Sequence, residues 1–424
     1  MAAPVEEHSG AQLRGNLRAV VEGVARRERF TDIEVEVGRA SSKGDNYIGE
    51  LLRVRLKGRR DGEEGQGMSL VVKLIPDSEA KREALDMDSF FDNELFVYSE
   101  VMPAFQSLQE DRRVPEAERF GAVPKLLACD RSEGGVSLVL EDMSPRGYRM
   151  ADRLKGLDSA HCSLVMKELG RFHAFSFALR DQRPEELQRL RSGVTETLFG
   201  PRAHFSSEQG KASLKQNIDQ ASSTMLKRFP LESEYMERFR RFCSDFNKRG
   251  EAVASGEAAE PCAVICHGDC WTNNILFKYS EGDETPEALC LLDLQLSRYS
   301  SPVTDIAYFL YCCTEGTVRR EAYKSLLSDY YNSFSQFLRK LGSDPEKMFP
   351  YSAFKEHLSK FSQFGLAMAL VAMPLFTAAS EDTLGVEHFG KETADEAFSK
   401  VACNERYLRR MGDVIEDMVD WNLI

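Results

Sequence analysis

Basic residues are in short supply here, and long hydrophobic runs are missing. Lys and Arg number 55 against 68 Asp and Glu, a formal net charge of −13. A nucleic-acid partner would want a basic face, so the balance argues against that class. A nucleotide is not, because phosphate sites are built locally from a metal, a Lys and backbone N–H groups. The longest apolar run, Phe364–Phe376, has 13 residues with Pro374 inside it. That reads as a buried helix and predicts no membrane insertion. The opening residues MAAPVEEHSGAQ have neither the basic nor the apolar region of a secretory signal. The 10 cysteines are too sparse for a disulfide framework in a chain of 424 residues, so free thiols and a cytoplasmic setting are expected. Cys262, Cys266 and Cys270 recur every four residues, which is not a zinc pattern. No Walker A sequence occurs, which disfavours a P-loop NTPase. What remains, 42% hydrophobic and 29% charged, is an ordinary globular composition at a length suited to two lobes.

The most informative stretch is AVICHGDCWTNNIL, residues 263–276. A short apolar run, Val264–Cys266, leads into His267-Gly268-Asp269, and Asn274 follows five residues after Asp269. A second apolar run, Leu289–Leu292, ends in Asp293. The protein-kinase catalytic loop and metal-binding acid have this order and this Asp-to-Asn step. Phosphoryl transfer from ATP needs a carboxylate to orient and deprotonate a hydroxyl, and oxygen ligands for magnesium. Asp269 is placed for the first task, and Asn274 and Asp293 for the second. His267 is read as a prop for the loop. The bland alternative is a Gly-containing turn with a polar loop behind it. The combined spacing argues against that.

HGDCWTNNILFKY and LLDLQLSRYSSPVTDIAYFLY together resemble the signature of the ecdysteroid kinase-like family, small-molecule kinases related to choline kinases and aminoglycoside phosphotransferases. The resemblance runs from about Asp32 to the last helices. It implies an α+β, bilobal protein-kinase-like fold, with a small antiparallel-sheet N-lobe and a large, mainly helical C-lobe. One departure is Leu294, where the family usually has Phe after the metal-binding Asp. Leu keeps an apolar anchor there.

Taken in order, Leu13, Leu17, Val20, Val21 and Val24 share one helix face, expected to pack outside the first lobe. Ile33–Val37 alternates like a half-buried strand, and Tyr47–Leu56 reads as its return. The tip between them runs from Gly38 to Gly44, and small residues there would let backbone N–H groups approach ATP phosphates. It lacks the full G-x-G-x-x-G. Asp61–Gly67 reads as a polar loop. Ser69–Ile75 is a buried strand holding Lys73, and a Lys there is costly unless paired. ATP phosphates and Glu94, on a helix with Phe91, Leu95 and Tyr98 facing inward, would be its partners. The alternative is an edge-strand Lys reaching solvent. Val123–Cys129 and Val136–Leu140 complete a five-stranded sheet. The resemblance makes the next residues a hinge whose backbone, at Glu141 and Met143, bonds adenine. The expected divisions are 1–140 for the N-lobe, 141–147 for the hinge and 148–424 for the C-lobe.

Beyond the hinge, helical patterns dominate. His173 lies in Leu164–Leu179 and reads as a satisfied helix histidine rather than a catalyst. Residues 182–229 are polar and weakly periodic, and their role is open. Tyr235–Phe246 is amphipathic, and Glu251–Glu260 reads as a small acidic loop. Pro302 and Thr304 suit a helix start. Asp305 has two readings: a first-turn helix acid, or, as the resemblance implies, a buried acid bracing the catalytic loop. Only eleven residues separate Asp293 from Asp305, leaving no room for a protein-kinase activation segment. Tyr323–Leu341, Ala353–Ala378 and Glu396–Met418 are three further helices.

The expected function is therefore an ATP- and Mg2+-dependent small-molecule kinase acting on an alcohol. An apolar, ecdysteroid-like acceptor is suggested by the resemblance. Tyr308, Tyr311, Phe361, Phe364, Met368, Met373 and Phe376, mostly core, would supply any apolar wall. A choline- or aminoglycoside-type acceptor and a catalytically inactive binding protein are the alternatives. Oligomeric state is not legible.

Overall fold

The computed structural model describes residues 15–40, 50–75, 87–131, 137–200, 203–280, 282, 284–378 and 404–424. Five antiparallel strands open the fold: β1 Phe30–Arg39, β2 Glu50–Arg60, β3 Glu63–Leu74, β4 Leu126–Asp130 and β5 Ser137–Glu141. Their order in the sheet is β1-β2-β3-β5-β4. Side chains alternate across a strand, so each face has its own residues. Val54 and Leu56 of β2, Leu70 and Val72 of β3, and Val139 of β5 pack under helix α1, Gly15–Arg27, against its Leu17, Val21, Val24 and Ala25. The intervening positions Leu51, Arg53, Val71, Lys73 and Leu140 line a cleft on the opposite face.

Asp61–Gly67 is not the polar loop its composition suggests. Asp61 and Gly62 alone make the turn, both at positive φ (50° and 91°), and β3 begins at Glu63. Asp-Gly is a strong two-residue hairpin signal because both central positions of such a turn need φ > 0. The charged stretch after it is simply the solvent-exposed start of a strand.

Helix α2, Met87–Phe96, carries Glu94 and buries Phe91 and Leu95. It continues through a π-helical turn, Val97–Val101, with Tyr98 buried, into α3, Met102–Asp111. After β5 come a 3-10 turn at Ser144–Arg146 and the short β6, Tyr148–Met150, which pairs with β8, Ile275–Tyr279, itself paired with β9, Pro286–Leu291. β7, Val264–Cys266, pairs with β10, Arg298–Ser300.

The remaining helices are α4 Ser159–Gln182, α5 Pro184–Gly193, α6 Glu208–Met225, α7 Glu234–Ser244, α8 Phe246–Ala254, α9 Gly256–Ala259, α10 Pro302–Cys313, α11 Gly316–Lys340, α12 Pro345–Met348, α13 Tyr351–Phe361, α14 Gln363–Thr377 and α15 Glu405–Asp420. α4 and α11 cross so closely that a Cβ on Gly170 would lie 2.6 Å from the Tyr330 carbonyl oxygen. Three expectations change. Residues 251–260 are mostly helical, in α8 and α9, rather than a loop. Ala353–Ala378 is two helices, α13 and α14, bent by 44°, with Ser362 at the break. The last helix starts at Glu405, and residues 396–403 lie outside the described residues. Residues 182–229 hold α5 and α6. No single helix among the described residues is long and apolar enough to cross a membrane. Phe364–Phe376 lies in α14, buried in the core. The described cysteines are free.

Candidate active site

β7 delivers the chain to His267-Gly268-Asp269, and the turn there is possible only for glycine. Gly268 has φ +87°, and a Cβ on it would sit 1.8 Å from the Leu296 carbonyl oxygen. Asp305, in the first turn of α10, accepts the backbone N–H groups of His267 at 2.6 Å and Gly268 at 2.8 Å. Both readings of Asp305 therefore describe the same residue. The oxygen that accepts the His267 N–H, Oδ2, also lies 3.0 Å from His173 Nε2, and His173 Nδ1 lies 2.9 Å from the Tyr330 hydroxyl. Burial works to raise the Asp305 pKa, but His173 and the loop N–H groups outweigh it and hold the carboxyl below its usual range. His267 is fully buried and accepts the Asp269 backbone N–H at Nδ1, 3.2 Å away. Burial depresses its pKa, so it stays neutral as a strut. His173, Asp305 and Cys266 bring ligand atoms within 4.8 Å of one another. Asp305 is already spent on N–H groups and His173, and burial pushes the Cys266 thiol far up. The cluster is packing.

Asp269 is held from two sides. Tyr308 donates its hydroxyl to Oδ1 at 2.8 Å, and Asn274 Nδ2 donates to Oδ2 at 2.8 Å and to the Asp269 carbonyl at 3.1 Å. Burial, with Asp293 adding to it, pushes the Asp269 carboxyl up to about 7, the poise of a general base near neutral pH. Burial alone would depress the Lys73 ammonium. Asp293 and Glu94, each 2.7 Å away, outweigh it and hold Lys73 above its ordinary value. Gln295 Oε1 is a third acceptor at 3.2 Å. One ammonium thus serves two carboxylates, and the deeper one, Glu94, is pushed by burial to about 7. Lys73 does not reach solvent, being 3% exposed.

The cleft over these groups has a volume of about 370 Å³. Its walls are apolar, from Leu51, Val71, Leu140, Met143, Leu276 and Leu292, and its floor holds Lys73, Glu94, Asn274 and Asp293. Glu141 also lines it. Gly38 does not: it lies in β1 opposite Arg53, and Ala40 is the cleft residue on that side. Gly44 lies outside the described residues. The buried Asp142 between Glu141 and Met143 ties the sheet to the segment after it, accepting Ser69 Oγ at 2.7 Å, Arg53 Nε at 2.8 Å and the Ser144 N–H at 3.0 Å. Leu294 is fully buried.

Several of these partners escaped the sequence reading. Gln295 and Asp142 look like ordinary loop polars. Asn93 binds the Gln295 and Ser297 carbonyls at 2.9 and 2.8 Å, and nothing in its neighbours announces it. Tyr308 enters the sequence reading only as one aromatic among several, although its place three residues after Asp305, on the same helical face, is a signal that could have found it. Most of the aromatic and thioether residues are core, as expected, Tyr311, Phe361, Phe364, Met368 and Met373 being buried. Tyr308 touches Asp269, and Phe376 stacks on Trp271, two residues after Asp269, with centroids 3.9 Å apart.

The ecdysteroid kinase-like family profile matches residues 43–343. No curated protein matches the sequence. Among solved structures, an ethanolamine kinase from Plasmodium vivax is similar at 13% identity, covering 87% of this chain and 80% of that one, with a TM-score of 0.40. A choline kinase from Streptococcus pneumoniae is similar at 14% identity over 94% of this chain and 98% of that one, TM-score 0.35. An aminoglycoside phosphotransferase from Streptomyces rimosus, in complex with ADP and streptomycin, is similar at 15% identity over 77% and 91%, TM-score 0.30.

Proposed function

The chain belongs to the ecdysteroid kinase-like family, and we propose that it transfers the γ-phosphate of ATP to a hydroxyl of a small, largely apolar alcohol. The observation that carries this reading is the floor of the cleft. Lys73 is held at 2.7 Å by both Glu94 and Asp293, and Asn274, on the same floor, donates to Asp269 at 2.8 Å. A buried ammonium fixed between two acids has no purpose in a mere wall, and it suits a group that grips phosphates. In this reading the apolar walls take the adenine and Asp269 orients the acceptor hydroxyl and receives its proton.

The residues fit a magnesium ion. Asp293 and Asn274 supply hard oxygen donors. Asn274 spends its amide N–H on Asp269, so neither of those bonds uses its Oδ1. Glu94 and Asp293 also share the single Lys73 ammonium, two carboxyls to one cation. When bound, the ion would neutralise charge on the phosphate oxygens. Lys73 would hold the phosphates, Glu94 would hold Lys73, and Asp305 and His267 would keep Asp269 aimed.

An ecdysteroid-like steroid is the first acceptor to try, supported by the family and by the Trp271–Phe376 stack near Asp269. The rival is a cationic amino alcohol, kept open by the net charge of −13. The test is turnover with magnesium and ATP on a polyhydroxylated steroid and an amino alcohol, at low and moderate salt. Cation binding at an exposed acidic mouth weakens with salt, whereas apolar burial does not. Turnover of the amino alcohol alone, with a salt-sensitive KM, sinks the steroid reading and keeps the kinase. Phosphate transfer to no acceptor at all would favour an inactive binding protein.

A further inference from the structure

Tyr308 has no place in the proposed chemistry so far, yet its hydroxyl touches the group that would perform it. It stands on α10, one turn beyond Asp305, so a single helix face meets the catalytic loop twice. Asp305 takes the loop's backbone N–H groups, and Tyr308 takes the loop's carboxylate. Tyr308 is 1% exposed, so a phenol hydroxyl there needs a partner. Among the described residues, its acceptor is Asp269 Oδ1.

The ring is fixed from behind as well. Tyr308 lies nearly parallel to Phe376, 19° between the rings at 6.4 Å, and Phe376 lies on Trp271 with 10° between the rings at 3.9 Å. Trp271 belongs to the catalytic loop itself. Arg153 in turn donates to the carbonyls of Phe376 at 3.0 Å and Ala378 at 2.7 Å, at the end of α14. The phenol is therefore locked in ring plane and in direction.

A carboxylate with one free torsion can swing between rotamers. Here each oxygen has its own donor, Tyr308 on Oδ1 and Asn274 on Oδ2. Asn274 is also assigned to a metal, so its side chain has two duties, while Tyr308 has one. We propose that Tyr308 is a positioning residue for phosphoryl transfer, which fixes the Asp269 carboxylate so that a remaining lone pair faces the acceptor hydroxyl. Each carboxylate oxygen offers two lone pairs, so the phenol bond still leaves Asp269 able to accept a second donor. This rests on Asp269 being the catalytic base. Misplacing such a group by about 1 Å costs on the order of a hundredfold in rate, while substrate binding does not need the phenol.

The test is Tyr308→Phe, which keeps the ring stack and removes only the hydroxyl. The expected result is a kcat lowered about tenfold or more, with KM for ATP and KM for the acceptor close to wild type and a folded protein of modestly lowered Tm. A purely packing role would move Tm and leave kcat alone. The decisive measurement is the double-mutant cycle with Asp269→Asn. If Tyr308 works through Asp269, adding Tyr308→Phe to Asp269→Asn costs little further rate. An equal fold-loss in both backgrounds overturns the proposal, as does an unchanged kcat in the single variant. Should Tyr308→Phe lose its cooperative melt, Phe376→Leu, which breaks the stack and keeps the phenol, is the comparison. Because the stack holds the phenol, a kcat loss in Phe376→Leu that vanishes in the Asp269→Asn background supports the proposal, and an unchanged kcat or an equal fold-loss in both backgrounds overturns it. If wild type phosphorylates no acceptor, the kinase reading has failed. If wild type turns over and Tyr308→Phe matches it, only this inference has.

Discussion

Lys73 on β3 and Asp293 after β9 stand 2.7 Å apart across 220 residues of chain. Neither would be stable there alone. A buried ammonium without a partner is costly, and so is a carboxylate beside Glu94 with no cation between them. The two acids and the lysine are thus a single electrostatic unit joining the sheet, α2 and the segment after β9. Perturbing any member should be felt in the other elements.

Lys73→Met is expected to weaken productive ATP binding and also to destabilise the fold. It leaves Glu94 and Asp293 facing each other without a cation, and breaking a buried pair from one side costs roughly 3–5 kcal/mol. Glu94→Gln should be milder in both respects, because Asp293 and Gln295 still hold the lysine. Thermal melts with and without ATP, alongside kcat and KM, separate the two effects. Equal ATP affinity and rate in both variants would remove the basis for a phosphate clamp.

Asp269→Asn should lower kcat by roughly a hundredfold or more, since it removes a positioned base. Folding and ATP affinity should be nearly intact, because the amide oxygen can still accept from Tyr308 or Asn274. A variant with wild-type turnover contradicts the catalytic assignment.

Asp305→Ala should destabilise by roughly 3 kcal/mol or more. The His267 and Gly268 N–H groups and His173 would all lose a buried acceptor, at about 1–3 kcal/mol for each unsatisfied group. The sign with pH follows from its pKa, held below the usual carboxylate range in the folded protein. Its stabilisation is complete above the ordinary carboxylate value and fades as pH falls through the lowered folded value. Wild type should therefore lose more Tm than Asp305→Asn on acidification. Parallel melting curves for the two between neutral and strongly acidic pH would refute this.

Gly268→Ala should abolish folding or activity outright, since its Cβ would meet the Leu296 backbone at 1.8 Å in a left-handed conformation. Gly38→Ala has open space around its Cβ and should change stability by less than about 1 kcal/mol. Expression yield and melts of the pair check both.

Much of the site was written in local chain order. His267, Gly268, Asp269, Asn274 and Asp293 sit in one stretch, where a tight turn and a strand end set their spacing, and an isolated Lys73 in an apolar strand already demanded a partner. The alternation of Ile33–Val37 likewise marked a half-buried strand. Helix breaks were less legible. Ser362 between α13 and α14 looks no different from a helix-interior serine, and the short charged helices at 246–259 have the composition of a loop.

What local order cannot carry is a bond between distant segments. Asn93 reaching the Gln295 and Ser297 carbonyls, Asp142 drawing in Arg53 and Ser69, and His173 meeting Asp305 are each one polar side chain whose neighbours give no hint of its partner. Burial decides such pairings, because only where water is excluded does a lone donor have to find a specific acceptor. The identity of the reactive groups was set by the residues themselves. Their aim, their partners and their charge state came from which segments packing brought into a dry interior.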